Sequence, residues 1–274
     1  MADSLGAIEK APIGGLPPET ARVFRILAAQ PTLRDFVLIG GTAIALQMRH
    51  RLSEDLDFWL PHGRLSDRAI KPALDAAERS GLPVRFATPH HQVTNFRIMT
   101  GERLEDYARD YSAGGVKVQF FAPRDEEPAY DGFKNLMAGD DVVTVSDSSG
   151  QVVATSFRIM PLAGLFAMKS YTIQRRHRSR DVLDLWHFVK AGRSFGDIIA
   201  AGVAAFSAAS AERAIAVLRG DLAPDAEDEG FLSLSAVTIE QVRADFRIWI
   251  DEYETERARA IKAGARVPSE HRRP

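Results

Sequence analysis

The chain has 274 residues, 45% hydrophobic and 26% charged, enough to bury one large core or two modest ones. Its formal net charge of -2 excludes global attraction as a basis for polyanion binding, so any nucleic-acid contact needs a local basic patch, such as RRHRSR at 175–180. The absence of cysteine excludes disulfides, thiolate metal sites and zinc fingers, and no run approaches the ~18 apolar residues of a membrane span.

The opening MADSLGAIEKAPIGG has neither the basic start nor the apolar core of a signal peptide, so the expectation is a cytoplasmic protein without membrane association. Residues 1–17 read as a loose lead-in. Val23, Phe24, Ile26 and Leu27 then recur at helical spacing, and Pro31 ends that helix. FVLIGG reads as a buried strand entering a glycine turn, TAIALQMRH as a helix, and DLDFWL at 55–60 as an alternating strand. After a helix over SDRAIKPALDAAERSG, the segments VRFATPH, VTNFRIMTG and GVKVQFFAP are expected to be successive strands of a mixed sheet. The segment 123–156 reads as a loop followed by a hairpin across 147–150. From Pro161 the pattern is helical, with helices expected at 161–176, 179–191, 195–207, 211–220 and 238–262. Thr238 and Gln241 have the spacing of a capping box for the last of these. An acidic loop, APDAEDEG, precedes that helix, and the tail AGARVPSEHRRP is expected to be disordered. The expected division is 1–35 lead-in and helix, 36–160 catalytic domain, and 161–274 helical C-terminal lobe.

Chemistry concentrates in LIGGTAIALQMRHRLSEDLDFWL, positions 38–60. Gly40 and Gly41 let the backbone turn sharply, and the helix opening at Thr42 directs unpaired N–H groups and a positive dipole end at that spot, which suits a triphosphate. Asp55 and Asp57 are two apart on an expected strand, which places both carboxylates on one face. Such a pair repels unless a cation lies between, and a hard divalent ion such as Mg²⁺ answers that need. A solvated acidic turn paired with Arg49 and Arg51 is the plainer alternative.

G-G-T-A followed by R-L-S-E-D-L-D-F resembles the first motif of the AbiEii/AbiGii nucleotidyltransferase-like toxins. These belong to the DNA polymerase β-like nucleotidyltransferase superfamily, which includes MenT-type toxins. Downstream, LFAMKSYTIQRRHRSRDVLDLW at 165–186 resembles a second motif, a helical lysine followed a dozen residues later by R-D-x-x-D-L. The resemblance covers about residues 36–190. It implies an α/β (α+β) fold in which a polymerase β-like mixed sheet with flanking helices precedes a helical C-terminal lobe. By resemblance, Asp55 and Asp57 bind metal and serve catalysis, and Gly40, Gly41, Thr42 and Ser53 line the nucleotide phosphates. Lys169 contacts the triphosphate and Asp181 completes the site. The family implies Mg²⁺ as cofactor, an NTP as substrate, an RNA such as tRNA as acceptor, and a separately encoded antitoxin.

The residues bear on parts of this independently. At 100° per residue Lys169 points into the apolar stripe of Leu162, Leu165, Phe166 and Ile173, so its charge needs a partner; the alternatives are a stem lying over the core with its ammonium in water, or a reach to bound phosphate. On the next helix Val182, Leu185, Trp186 and Val189 form the expected buried stripe, with Asp181 and Asp184 on an adjoining face and Asp184 expected to hold an arginine. The basic run lies at the turn between these helices, either as a solvated face or as a grip for an acceptor's phosphates. One departure from the superfamily pattern stands out. On GVKVQFFAP the inward-facing position expected to hold a third carboxylate is Gln119, which cannot act as a base, while Lys117 on the same face can contact phosphate. A small-molecule nucleotidyltransferase and a catalytically weakened nucleotide-binding module therefore stay open beside the RNA-directed enzyme.

Overall fold

The computed structural model describes residues 12–124, 128–137, 143–205, 211–226, 228, 230 and 237–263. The lead-in expected before residue 12, positions 206–207 of an expected helix, residues 227 and 229 of the acidic loop, and the tail after 263 lie outside them. The chain divides into two units, Met1–Leu165 and Phe166–Pro274.

In the first unit, Pro17 and Pro18 preset the backbone for helix α1 (Pro18–Ala28), because proline's fixed φ suits a first turn whose N–H groups have no partner anyway. Strand β1 (Val37–Ile39) runs straight into α2 (Gly40–Met48), and β2 (Leu56–Trp59) returns antiparallel to β1 with Ile39 opposite Asp57. Helix α3 (Asp67–Arg79) leads to β3 (Val84–Phe86), α4 (His90–Thr100), β4 (Ala108–Ala113) and β5 (Val116–Phe121). Helix α5 (Pro128–Met137), the short hairpin β6 (Val145–Ser146) and β7 (Val152–Val153), and β8 (Arg158–Ile159) follow. The large sheet is ordered β3-β4-β5-β2-β1-β8, with β2 parallel to β5, β1 parallel to β8, and the other pairs antiparallel. It is the mixed sheet the sequence predicts.

One face of this sheet is sealed by aromatic packing. Phe58 stacks on Phe120 at 5.2 Å, Phe36 meets Phe120 and Phe157 meets Phe58 edge-on, and Phe24 in turn meets Phe157 edge-on. With a period of two, burying Leu56, Phe58, Val118 and Phe120 obliges Asp57, Lys117 and Gln119 to face the other way.

Three expectations fail. VTNFRIMTG is not a strand but the body of α4: Pro89 caps its start, and Gly101, at φ 74°, ends it with an N–H bonded to the Arg97 carbonyl. These end signals outweigh a short apparent alternation, and none of the helix's side chains is buried. The strand missing from the sequence reading is β4, whose ARDYSA is too polar to look like one; pairing with β5 along its whole length defines it. Residues 128–137, read as loop, form α5, started by Pro128 and anchored by buried Phe133 despite Gly132.

The second unit takes over within helix α6 (Leu162–Thr172) and continues through α7 (Ser179–Lys190), α8 (Phe195–Ala205), α9 (Ala211–Arg219) and α10 (Ile239–Lys262). Thr238 and Gln241 form the capping box at the start of α10. Val182, Leu185, Ile198, Val217, Val242 and Phe246 are fully buried and form the core of this unit. No helix among the described residues is long and apolar enough to cross a membrane.

Candidate active site

In the first unit, the junction of β1 and α2 is built around two glycines, the first of which admits no side chain without strain. Gly40 has φ +72°, in the left-handed region, and a methyl group on it would collide with the Asp57 carboxylate. A methyl on Gly41 would collide with the Arg51 guanidinium and lie 3.1 Å from Ser53 Oγ. Bare backbone thus lets a carboxylate, a guanidinium and a hydroxyl press onto the N-terminus of α2, where unpaired N–H groups and the helix dipole favour an anion.

The neighbouring loop is held by Thr42, which is fully buried. Its Oγ1 hydrogen-bonds both Ser53 Oγ, at 2.9 Å, and the Asp55 carbonyl. A hydroxyl carries one hydrogen and a carbonyl can only accept, so Thr42 donates to Asp55 and accepts from Ser53. Ser53 N–H in turn donates to the Gly15 carbonyl at 2.9 Å. Asp55 directly precedes β2 rather than lying within it, and Asp57 is its second residue; both side chains are half-buried.

Strand register then sets a row across the open face. Ile39, Asp57, Gln119 and Asp110 are consecutive partners on β1, β2, β5 and β4. Directly opposed residues project to the same side, so these side chains share one face. Gln119 Nε2 donates to Asp110 Oδ1 at 2.6 Å, and Lys117 Nζ lies 3.7 Å from Asp110 Oδ2. Asp110 belongs to the segment misread as non-strand, which is why the sequence reading passed over it. Its predecessor Arg109 is buried and pairs with Asp67 on α3.

Among the described residues no three His, Cys, Asp or Glu side chains gather closely enough to cage a metal. The oxygens on this face belong to Asp57, Asp110 and the Gln119 amide, and Asp55 stands just ahead of β2. That set fits Mg²⁺, which binds through one or two carboxylates and takes its remaining ligands from water and substrate phosphates.

In the second unit, Lys169, Asp181 and Asp184 come together, all buried. Lys169 Nζ pairs with Asp181 and lies 2.8 Å from Asp184 Oδ2; Arg176 Nε reaches Asp181 Oδ2 at 2.8 Å. Burial alone would push the Asp181 carboxyl up, but the Lys169 ammonium and the Arg176 guanidinium overcome that and hold it down at about 2. Asp181 and Asp184 therefore sit on the buried face of α7 rather than beside it, because two cations neutralise the two carboxylates. Lys169 is a partner of Asp184 that the sequence did not reveal.

Much of the basic run is engaged within the same unit. Arg175 lies over the Tyr171 ring at 5.3 Å and donates to its hydroxyl, and Arg176 belongs to the ion cluster. His177 Nδ1 hydrogen-bonds the Ala223 carbonyl at 2.9 Å, and its backbone N–H donates to Asp225.

A mixed sheet whose glycine-opened helix abuts a D-x-D strand, followed by a helical unit, defines a nucleotidyltransferase-type protein. The fold is similar to that of MenT4, a nucleotidyltransferase toxin from Mycobacterium tuberculosis H37Rv, at TM-score 0.53 and 16% identity over 90% of this chain and 87% of that one. A crystal structure of a protein from H. pylori, described as a "putative nucleotidyltransferase", matches at TM-score 0.42 and 15% identity, over 85% of this chain and 91% of its own. No curated protein matches. The family model "Nucleotidyl transferase AbiEii toxin, Type IV TA system" matches residues 22–263, and the chain belongs to that family of nucleotidyltransferase toxins.

Proposed function

We propose that this toxin transfers a nucleotide from an NTP to an RNA acceptor such as tRNA, in the cytoplasm and with Mg²⁺, and that a cognate antitoxin restrains it. The observation that carries the reading is the junction at Gly40 and Gly41, where the Asp57 carboxylate and the Arg51 guanidinium lie against a helix N-terminus too close for any side chain to intervene. An anion cradle beside paired carboxylates is what a metal-bound triphosphate requires. The N–H groups of α2 hold the phosphates, which Gly40, Gly41, Thr42 and Ser53 line; Asp55 and Asp57 hold the cation. When bound, Mg²⁺ neutralises charge developing on the phosphates and acidifies an attacking hydroxyl.

In the reaction, an acceptor hydroxyl oxygen forms a bond to the α-phosphorus while the bond from that phosphorus to the bridging oxygen breaks and pyrophosphate leaves. The hydroxyl proton passes to a carboxylate of the pair or to water. Lys169 spends two of its three N–H donors on Asp181 and Asp184, which fix its ammonium within the helical unit.

The test is incubation with Mg²⁺, each α-labelled NTP in turn and total tRNA, beside an Asp55→Ala/Asp57→Ala control. Label entering RNA only with the intact carboxylates is the expected result and names the nucleotide. Label entering RNA equally with the control would overturn the assignment of these carboxylates. NTP binding without transfer would point to a small-molecule acceptor or to a binding module.

A further inference from the structure

A polymerase-like site normally presents a third carboxylate from the strand beside its D-x-D strand, and here that position, directly opposite Asp57, is Gln119. The next position outward in the same row is Asp110. Since a carboxylate can only accept, the 2.6 Å contact between Gln119 Nε2 and Asp110 Oδ1 determines which way the amide is turned: its NH₂ faces Asp110 and its Oε1 faces away. Asp110 is itself well held. Its backbone N–H donates to the Thr88 hydroxyl at 2.8 Å, and its carbonyl accepts from Ala87 N–H at 2.8 Å. Its second carboxylate oxygen faces Lys117 at 3.7 Å, which offsets its charge. Buried Arg109 fixes the neighbouring turn of the strand from the other side of the sheet.

We propose that Asp110 is a positioning residue that locks the Gln119 amide with its oxygen free to serve as a neutral third ligand to the cation held by Asp55 and Asp57. This rests on the nucleotidyltransferase reading of the site and deepens it. The carboxylate usual at this place is moved one strand outward, where it acts through the glutamine rather than on the metal. Gln119 then marks a rearranged site rather than a disabled one. Removing the acceptor lets the amide rotate and lose its oxygen's orientation, whereas an isosteric acceptor preserves it.

The experiment is Mn²⁺ binding to the full chain with ATP, CTP, GTP and UTP in turn, followed by loss of the free-ion EPR signal, with circular dichroism confirming that each variant is folded. Gln119→Ala and Asp110→Ala should each weaken Mn²⁺ binding about tenfold, in line with the loss of other outer-shell partners. The double variant should be no weaker than Gln119→Ala, because Asp110 acts only through Gln119. Asp110→Asn, which keeps an accepting oxygen, should bind like the wild type. Additive losses in the double variant, or Asp110→Asn as weak as Asp110→Ala, would overturn the proposal. Binding lost in Asp57→Ala but unmoved by Gln119→Ala would also overturn it while leaving the nucleotidyltransferase reading intact; no uptake by the wild type would sink that reading, and this proposal with it.

Discussion

Asp57, on the sheet, and Asp55, just ahead of its strand, stand half-buried, whereas Asp181 and Asp184 are sealed completely and clamp Lys169 between them. Both pairs come from motifs with the same chemical alphabet, yet their surroundings prepare them differently. The first pair lies beside a helix N-terminus and a stripped glycine backbone, a setting that invites an external ion and its phosphates. The second is already neutralised by Lys169 and Arg176 inside the protein, so its first consequence is for folding. Spacing in sequence locates carboxylates; burial and counter-charge decide what they are available for.

The contrast can be broken from either side. Lys169→Ala removes the cation held between two buried carboxylates, and should cost on the order of 4 kcal/mol in urea unfolding. Asp57→Asn removes a charge from the open face and should lower nucleotide transfer on the order of 10³-fold while leaving the urea midpoint nearly unchanged. Gly40→Ala adds one methyl at φ +72° against Asp57, and both stability, by about 2 kcal/mol, and transfer should fall.

The smallest effect is the dependence on pH. Asp181 is held at about 2 when folded, below the ~3.9 of a free aspartate, so the unfolded chain binds the extra proton. Its stabilisation is complete above about pH 4 and disappears as pH falls through about 2, a loss of ~2 kcal/mol. Asp181→Asn should remove that portion of the acid-unfolding slope. An unchanged slope would mean that Lys169 and Arg176 do not hold the carboxylate as the structure indicates.

The fold and the site were legible in the sequence to different depths. Local signals with a covalent or steric basis read well: the prolines that open α1, the glycines between β1 and α2, and the Thr238 capping box. Apolar periodicity located all five C-terminal helices because each buries a stripe. It failed for α4, which buries nothing, and for β4, whose partner rather than its composition makes it a strand. Losing β4 meant losing Asp110, since membership of the row with Asp57 and Gln119 depends on register between segments distant in sequence. The Lys169 stripe was visible, but its partners were not, because pairing across two helices needs their packing.

The most direct test of the central claim, that the open-face carboxylates hold a metal-bound nucleotide, is thermal unfolding with Mg²⁺ alone, NTP alone and both together. A ligand that binds only the native state raises the midpoint by mass action. The wild type should show its large rise only with both present, and Asp55→Asn/Asp57→Asn should show none; an equal rise in that variant would contradict the account.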